Sequence, residues 1–115
     1  MDKKFYDIDE IIGVTVVAFT WENIAWKEVE ELKKVFGELL GNGKKNFVLD
    51  FSNVTYVSSV VLASLVYLLK KTKEVDGNMV ICALQKKVDE VIRLTDLDKI
   101  FEIYKTKQEA LERFG

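Results

Sequence analysis

The sequence predicts a single α/β domain over residues 1–115, in which a mixed β-sheet of about five strands is combined with four helices. After an initial pair of strands, patterns typical of strands and of amphipathic helices alternate along the chain. One apolar run, residues 79–84, is continuous, as expected of a central strand that is covered on both faces. This alternation favours right-handed crossovers and parallel pairing of the inner strands.

The first two strands are predicted around Phe5 and Ile8 and then over residues 11–19, with a turn near Gly13. β-Branched residues are dense in the second of these stretches, which favours extended backbone. Because the connection is short, the two strands are expected to pair antiparallel as an N-terminal hairpin.

Apolar residues recur at helical spacing from about Ile24 to Leu40, which predicts the first helix. Glycines at residues 41 and 43 are expected to end it. Residues 46–51 predict the next strand, and residues 52–57 are expected to form a connecting loop.

The second helix is predicted to begin at Ser58 or Ser59, either of which can cap it, and to run to about Val75. A third helix is predicted from about residue 86 to residue 94. Residues 100–104 predict the last strand, and a short final helix follows from Thr106.

Composition and charge exclude several classes of function. The net charge of −2 produces no field that would attract nucleic acid or an anionic membrane. The chain has no histidine, which excludes Ser-His triads, histidine bases and zinc sites with imidazole ligands. No apolar run reaches the roughly 20 residues that a membrane-spanning helix needs.

The single cysteine, Cys82, has no partner for a disulfide within the chain and is expected to be a small core residue. The first residues contain no apolar signal region. A cytoplasmic protein is therefore expected.

Asp50 is the one candidate for acid–base or phosphoryl chemistry, because it ends a predicted central strand. A phosphoryl-accepting aspartate needs further carboxylates around a Mg²⁺ ion. Asp7 and Asp9 come from a predicted edge strand and are not expected to converge on it. With no nucleophile beside a base, we predict a loop-capping role for Asp50, no metal, no cofactor and no catalysis.

The most informative segment places Ser58 and Ser59 where a loop enters the second helix. A hydroxyl there accepts hydrogen bonds from the free N–H groups of the first turn, so capping alone explains one serine. The same position suits a phosphate, because those N–H groups and the helix dipole favour negative charge. On the residues alone, both a cap and a switch stay open.

A phosphate on Ser58 would place a charge of about −2 beside a surface that is expected to be apolar, and so would repel a docked partner. That surface is expected to consist of Tyr56, Val57, Val60 and Val61, with Ser59 among them. Trp21 and Trp26 flank the connection before the first helix, and they suit an exposed partner contact or a second small core equally well.

Three stretches resemble the STAS-domain family, the anti-sigma-factor antagonists of bacteria. Residues 47–59 are similar to the family's strand and the D-S-S-G turn that follows it. Residues 76–83 are similar to its glycine-plus-apolar strand, and residues 88–101 to its helix and the loop ending in G-L-x-x-I/V-F. The resemblance covers nearly the whole chain and implies a STAS-like fold.

In that family the domain binds a serine-kinase anti-sigma factor and frees the sigma factor, and the kinase ends the binding by phosphorylating the first serine of the turn. The resemblance therefore implies a phosphorylated Ser58 with Ser59 beside it. This sequence has Val57 where the family has aspartate and Val60 where it has glycine, and residues 21–24 replace the usual G-E-L-D stretch. These departures favour the alternative of an unswitched scaffold or a small-ligand sensor.

Overall fold

The structure is a computed structural model that describes residues 4–115. Within these residues the strands are β1 (Tyr6–Ile11), β2 (Val14–Phe19), β3 (Asn23–Ile24), β4 (Asn46–Asp50), β5 (Tyr56–Val57), β6 (Asn78–Cys82) and β7 (Ile103–Tyr104). The helices are α1 (Val29–Gly41), α2 (Ser59–Glu74), α3 (Lys86–Leu94) and α4 (Lys107–Glu112), with 3₁₀ turns at Trp26–Glu28 and Leu97–Lys99.

Five strands form one mixed sheet in the order β1-β2-β4-β6-β7. The β1–β2 hairpin is antiparallel, and every other pairing in this sheet is parallel. The predicted fold class, with a mixed five-stranded sheet, four helices and an N-terminal antiparallel hairpin, is therefore confirmed. β3 and β5 form a separate, parallel two-stranded sheet.

The strand side chains alternate between two apolar layers. Leu49 of β4 and Ile81 of β6 belong to the larger core, which also contains side chains of α1, α2 and α3. Val48 and Val80 point to the smaller cluster, which contains Ala110 of α4. The whole of β6 is buried because it is covered on both faces, as its continuous apolar run predicts.

The β1–β2 turn consists of Ile12 and Gly13, both with positive φ (49° and 78°). This is the backbone that favours the right-handed twist of a tight hairpin. Glycine adopts it freely, whereas a β-branched residue is strained there. Ile12 is also 97% exposed, so its side chain makes few packing contacts that could offset this strain.

The start of the first helix was predicted too early. Ile24 lies in β3 and is buried, the chain then makes a 3₁₀ turn, and α1 begins at Val29. The predicted loop over residues 52–57 likewise contains β5, whose Tyr56 and Val57 pair with Asn23 and Ile24. Two short segments distant in sequence stabilise each other as strands, which local patterns do not reveal.

The last predicted strand is also shorter than expected. The N–H groups of Ile100 and Phe101 both donate to the Leu97 carbonyl, at 3.0 and 2.9 Å, so the chain is still turning at these residues. Only Ile103–Tyr104 pairs with β6. No helix within residues 4–115 is long and apolar enough to cross a membrane.

Candidate functional site

Ser58 is the N-cap residue of α2. Its backbone is extended (φ −81°, ψ 161°), and its Oγ accepts a hydrogen bond from the Val61 N–H at 3.3 Å. Its carbonyl accepts from the Leu62 N–H at 3.1 Å, which starts the helix. The side chain is half-buried, whereas Ser59 is exposed. The hydroxyl therefore acts as the cap that the sequence suggests, and it does so at the surface.

The two-stranded sheet fixes the turn that carries Ser58. The N–H groups of Thr55 and Tyr56 donate to the Glu22 carbonyl at 2.8 and 3.2 Å, just before β5 pairs with β3. After β5 the chain enters Ser58 directly. Because β3 follows β2 and β5 follows β4, the site lies at the carboxyl edge of the parallel strands, where functional groups of α/β sheets collect.

The residues around Ser58 divide into anchors and exposed surface. Val57 and Val61 are only 6% and 2% exposed and belong to the larger core, so their predicted place on the partner surface was wrong. Tyr56 and Val60, by contrast, are 58% and 52% exposed. The hydroxyl of Ser58 is thus held between two buried valines and is flanked along the chain by two exposed apolar side chains.

The two tryptophans have different environments. Trp21 packs against Phe5 with ring centroids 5.9 Å apart and is partly exposed. Trp26 is 67% exposed. Since β3 and β5 are parallel, Trp26 and Ser58 leave this small sheet at the same edge. Neither tryptophan forms a second small core, and the exposure of Trp26 leaves the partner contact as a prediction.

Asp50 ends β4 and caps the loop that follows, since its Oδ1 accepts from the Ser52 N–H at 2.9 Å. Its neighbour across the sheet is Cys82, whose pKa is raised to about 12, first by burial and then by the charge of Asp50. Across residues 4–115, no three side chains of the metal-ligating types converge. The geometry around Asp50 is that of a loop cap.

Other hydrogen bonds hold the neighbouring loops in place. Gln85, just before α3, donates from Nε2 to the Ser52 carbonyl at 2.7 Å, and the Phe51 N–H donates to the Cys82 carbonyl at 3.1 Å. The loop between β4 and β5 is therefore tied to both β6 and α3. The chemistry available at this edge is a hydroxyl on a rigid turn beside an apolar surface, which suits binding.

Comparisons with known proteins identify the family of the chain. The model of the STAS domain family matches residues 6–110. A Thermotoga neapolitana protein, provisionally named an anti-sigma factor antagonist, is 36% identical over 80 residues, which are 70% of this chain and 71% of the relative. A provisionally named antagonist from Thermotoga maritima shows the same identity and coverage.

Solved structures show the same fold. An anti-sigma-factor antagonist (STAS) domain protein from Planctomyces limnophilus superposes with a TM-score of 0.84 at 26% identity, covering 94% of this chain and 96% of that one. The phosphorylated form of the Bacillus cell fate determinant SpoIIAA superposes with a TM-score of 0.75, covering 96% and 99% of the two chains. At 12% identity, this second likeness concerns the fold alone.

Proposed function

The chain belongs to the STAS domain family, and on that basis we propose that it is an anti-sigma-factor antagonist, a binding module rather than an enzyme. Its proposed partner is a serine-kinase anti-sigma factor in the bacterial cytoplasm. Binding of the partner would release the sigma factor for transcription. The names of the Thermotoga relatives support the antagonist role.

The proposed contact surface is the exposed apolar group around the start of α2, formed by Tyr56, Val60 and Trp26. Aromatic side chains dominate the binding energy of many protein interfaces, since they bury a large area at small entropic cost. The turn between β5 and α2 positions Tyr56 and Val60 before a partner arrives, and the 3₁₀ turn after β3 carries Trp26. A preorganised surface loses little conformational freedom on binding.

We propose that phosphorylation of Ser58 ends this binding. The single observation that carries the proposal is the position of its hydroxyl at the N-cap of α2, two residues before exposed Val60. A phosphate there keeps acceptors for the helix N–H groups, so the fold tolerates it. The partner, however, would have to desolvate about two negative charges in an apolar contact.

A second candidate is an unswitched scaffold or small-ligand sensor. It is favoured by Val57, whose side chain is buried in the core and so places no carboxylate beside the serine hydroxyl. Val60 adds apolar surface next to the same hydroxyl. Both features suit a permanent contact as well as a regulated one.

A mass-resolved phosphorylation assay tests the switch. The protein is incubated with ATP and each serine-kinase anti-sigma factor of its source organism, and modified residues are mapped. We expect phosphate on Ser58, none on the Ser58→Ala variant, and unchanged incorporation in Ser59→Ala. A stable complex without phosphate would indicate an antagonist that is not switched at Ser58. If neither phosphate nor a complex is found, the antagonist proposal is wrong and the scaffold or sensor is favoured.

The contact surface has its own test with a matched control. Val60→Asp places a charge in the proposed contact, whereas Val75→Asp places one at the other end of α2, where the valine is also exposed. We expect Val60→Asp to weaken partner binding at least about tenfold and Val75→Asp to leave it unchanged. Equal affinities in calorimetric titration would place the contact elsewhere on the protein.

A further inference from the structure

A second surface, on the opposite edge of the domain from β7, is the outer side of β1. In the part of the chain that the structure describes, β1 pairs only with β2 and leaves its other side free. It is six residues long, a full-length strand at an exposed edge. Such an edge presents a row of N–H and C=O groups to any strand that approaches it.

The hairpin pattern identifies the free backbone groups. The Thr20 N–H donates to the Phe5 carbonyl at 2.9 Å, so this pair is a hydrogen-bonded one. Hydrogen-bonded and non-bonded pairs alternate along an antiparallel ladder. The residues whose N–H and C=O groups point away from β2 are therefore Tyr6, Ile8 and Glu10.

A groove runs between this edge and α1. It measures about 670 Å³ and is lined by apolar side chains of both elements, with Ile8 on the strand and Val35 and Leu39 on the helix. A second hollow of about 400 Å³ shares Tyr6, Val35 and Glu38 with it and extends the groove towards the start of α1. An added strand would direct alternate side chains into this space.

This edge of the domain carries an excess of negative charge. Glu30, Glu31 and Glu38 line the groove from α1, and the lysines of the same lining, Lys4 and Lys34, are fewer. Asp7 and Asp9 alternate with the groove-facing residues of β1 and so lie on the other face of the strand. Within residues 4–115 none of these five carboxylates forms an ion pair. The face of β1 that carries Asp7 and Asp9 is therefore acidic, and the groove face is apolar with charges of both signs at its border.

We propose that β1 and this groove bind an extended polypeptide segment of a partner protein, in which apolar and basic residues alternate, as an added strand. The apolar side chains would enter the groove, and the basic ones would lie beside Asp7 and Asp9, where opposite charges on neighbouring strands attract. A second copy of β1 would bring like charges together, which disfavours self-association. This surface is independent of the one around Ser58.

The test uses a seven-residue peptide of alternating lysine and valine, blocked at both ends, with a glutamate–valine peptide as the charge control. Amide NMR spectra and hydrogen exchange are recorded during titration. We expect the lysine peptide to shift and protect the N–H groups of Ile8 and Glu10, which are free in the unbound protein, and the glutamate peptide to have no effect. Absence of saturable changes at these amides would overturn the proposal.

Two variants separate strand addition from general charge attraction. Ile8→Pro removes an outward N–H group that β2 does not use, so an edge strand tolerates it. Asp7→Lys/Asp9→Lys reverses the charge, and Glu90→Lys/Glu112→Lys makes the same change of net charge on α3 and α4.

We expect the first two variants to weaken peptide binding at least about tenfold and the third to leave it nearly unchanged. If both double variants lose the same amount of peptide affinity, the binding depends on net charge alone, which would overturn the proposal. Undiminished binding by folded Ile8→Pro would also overturn the proposal. If Ile8→Pro does not fold, the comparison of the two double variants decides alone.

Discussion

Two substitutions at Ser58 are expected to change the stability of the fold and the affinity for a partner in opposite order. Ser58→Ala removes the acceptor for the Val61 N–H, and loss of a serine N-cap costs about 0.5–2 kcal/mol. The N···O distance of 3.3 Å is long for such a bond, so we expect the lower part of that range, about 0.5–1 kcal/mol. For a domain of this size the melting temperature falls by roughly 2–5 °C.

Ser58→Asp keeps an acceptor at the N-cap, and its charge interacts favourably with the helix dipole by about 0.3–1 kcal/mol. This variant should therefore be at least as stable as the unmodified protein. If phosphate at this position ends partner binding, the same carboxylate weakens that binding, whereas Ser58→Ala preserves it. The free energy of unfolding then decreases from Ser58→Asp through the unmodified protein to Ser58→Ala. The affinity for the partner, by contrast, is lowest for Ser58→Asp.

Urea unfolding followed by circular dichroism measures the first order, and calorimetric titration with the partner kinase measures the second. Ser59→Ala serves as the control for both, because Ser59 is exposed and does not cap the helix. Loss of stability in Ser58→Asp equal to that in Ser58→Ala would refute the capping argument. Equal affinities of the two variants would refute the switch while leaving the cap intact.

Three further predictions concern the fold. Gly77→Ala should lower the free energy of unfolding by about 1–3 kcal/mol in urea titration, because a Cβ there would overlap the Lys45 carbonyl oxygen; a neutral result would show that the backbone moves aside. Ile12→Asn should raise it by about 1 kcal/mol, because asparagine tolerates the positive φ of this exposed turn; a less stable variant would contradict the assigned strain. Hydrogen bonds from Arg113, and then from Tyr104 and Asn78, lower the pKa of Glu102 from 4.5 to about 2, so its carboxylate stabilises the fold above pH 4.5 and this contribution is lost as the pH falls through 2. Glu102→Gln should therefore make the free energy of unfolding depend less on pH between pH 4.5 and pH 2. If this pH dependence is the same as in the unmodified protein, Glu102 is not its cause.

The main sheet was predictable because its strands have local sequence patterns that are typical of strands. Residues 14–19 are rich in β-branched side chains, and residues 79–84 form an unbroken apolar run. The end of β6 was not predictable, since Ala83 adopts a positive φ of 61° although nothing in its side chain favours it. β3 and β5 were not predicted, because each has only two residues and is a strand only by pairing with the other.

The candidate site was predictable in position but not in exposure. The two serines mark the start of α2, and the structure places Ser58 at the N-cap. The burial of Val57 depends on its pairing with Ile24, which the sequence does not display. The burial of Val61 was within reach, because it precedes Leu65 by four residues and Leu68 by seven and so lies on the core stripe of α2.

The same burial limits how a switch at Ser58 can operate. Val57 before it and Val61 after it are both anchored in the larger core, so a modification between them has little freedom to move the turn. The helix end accepts negative charge, so the modification does not unwind α2 either. What remains for a partner to detect is the charge itself, beside the exposed side chains of Tyr56 and Val60. The phosphorylated protein should consequently have the same fold and nearly the same stability as the unphosphorylated protein. The two forms should differ only in what they bind.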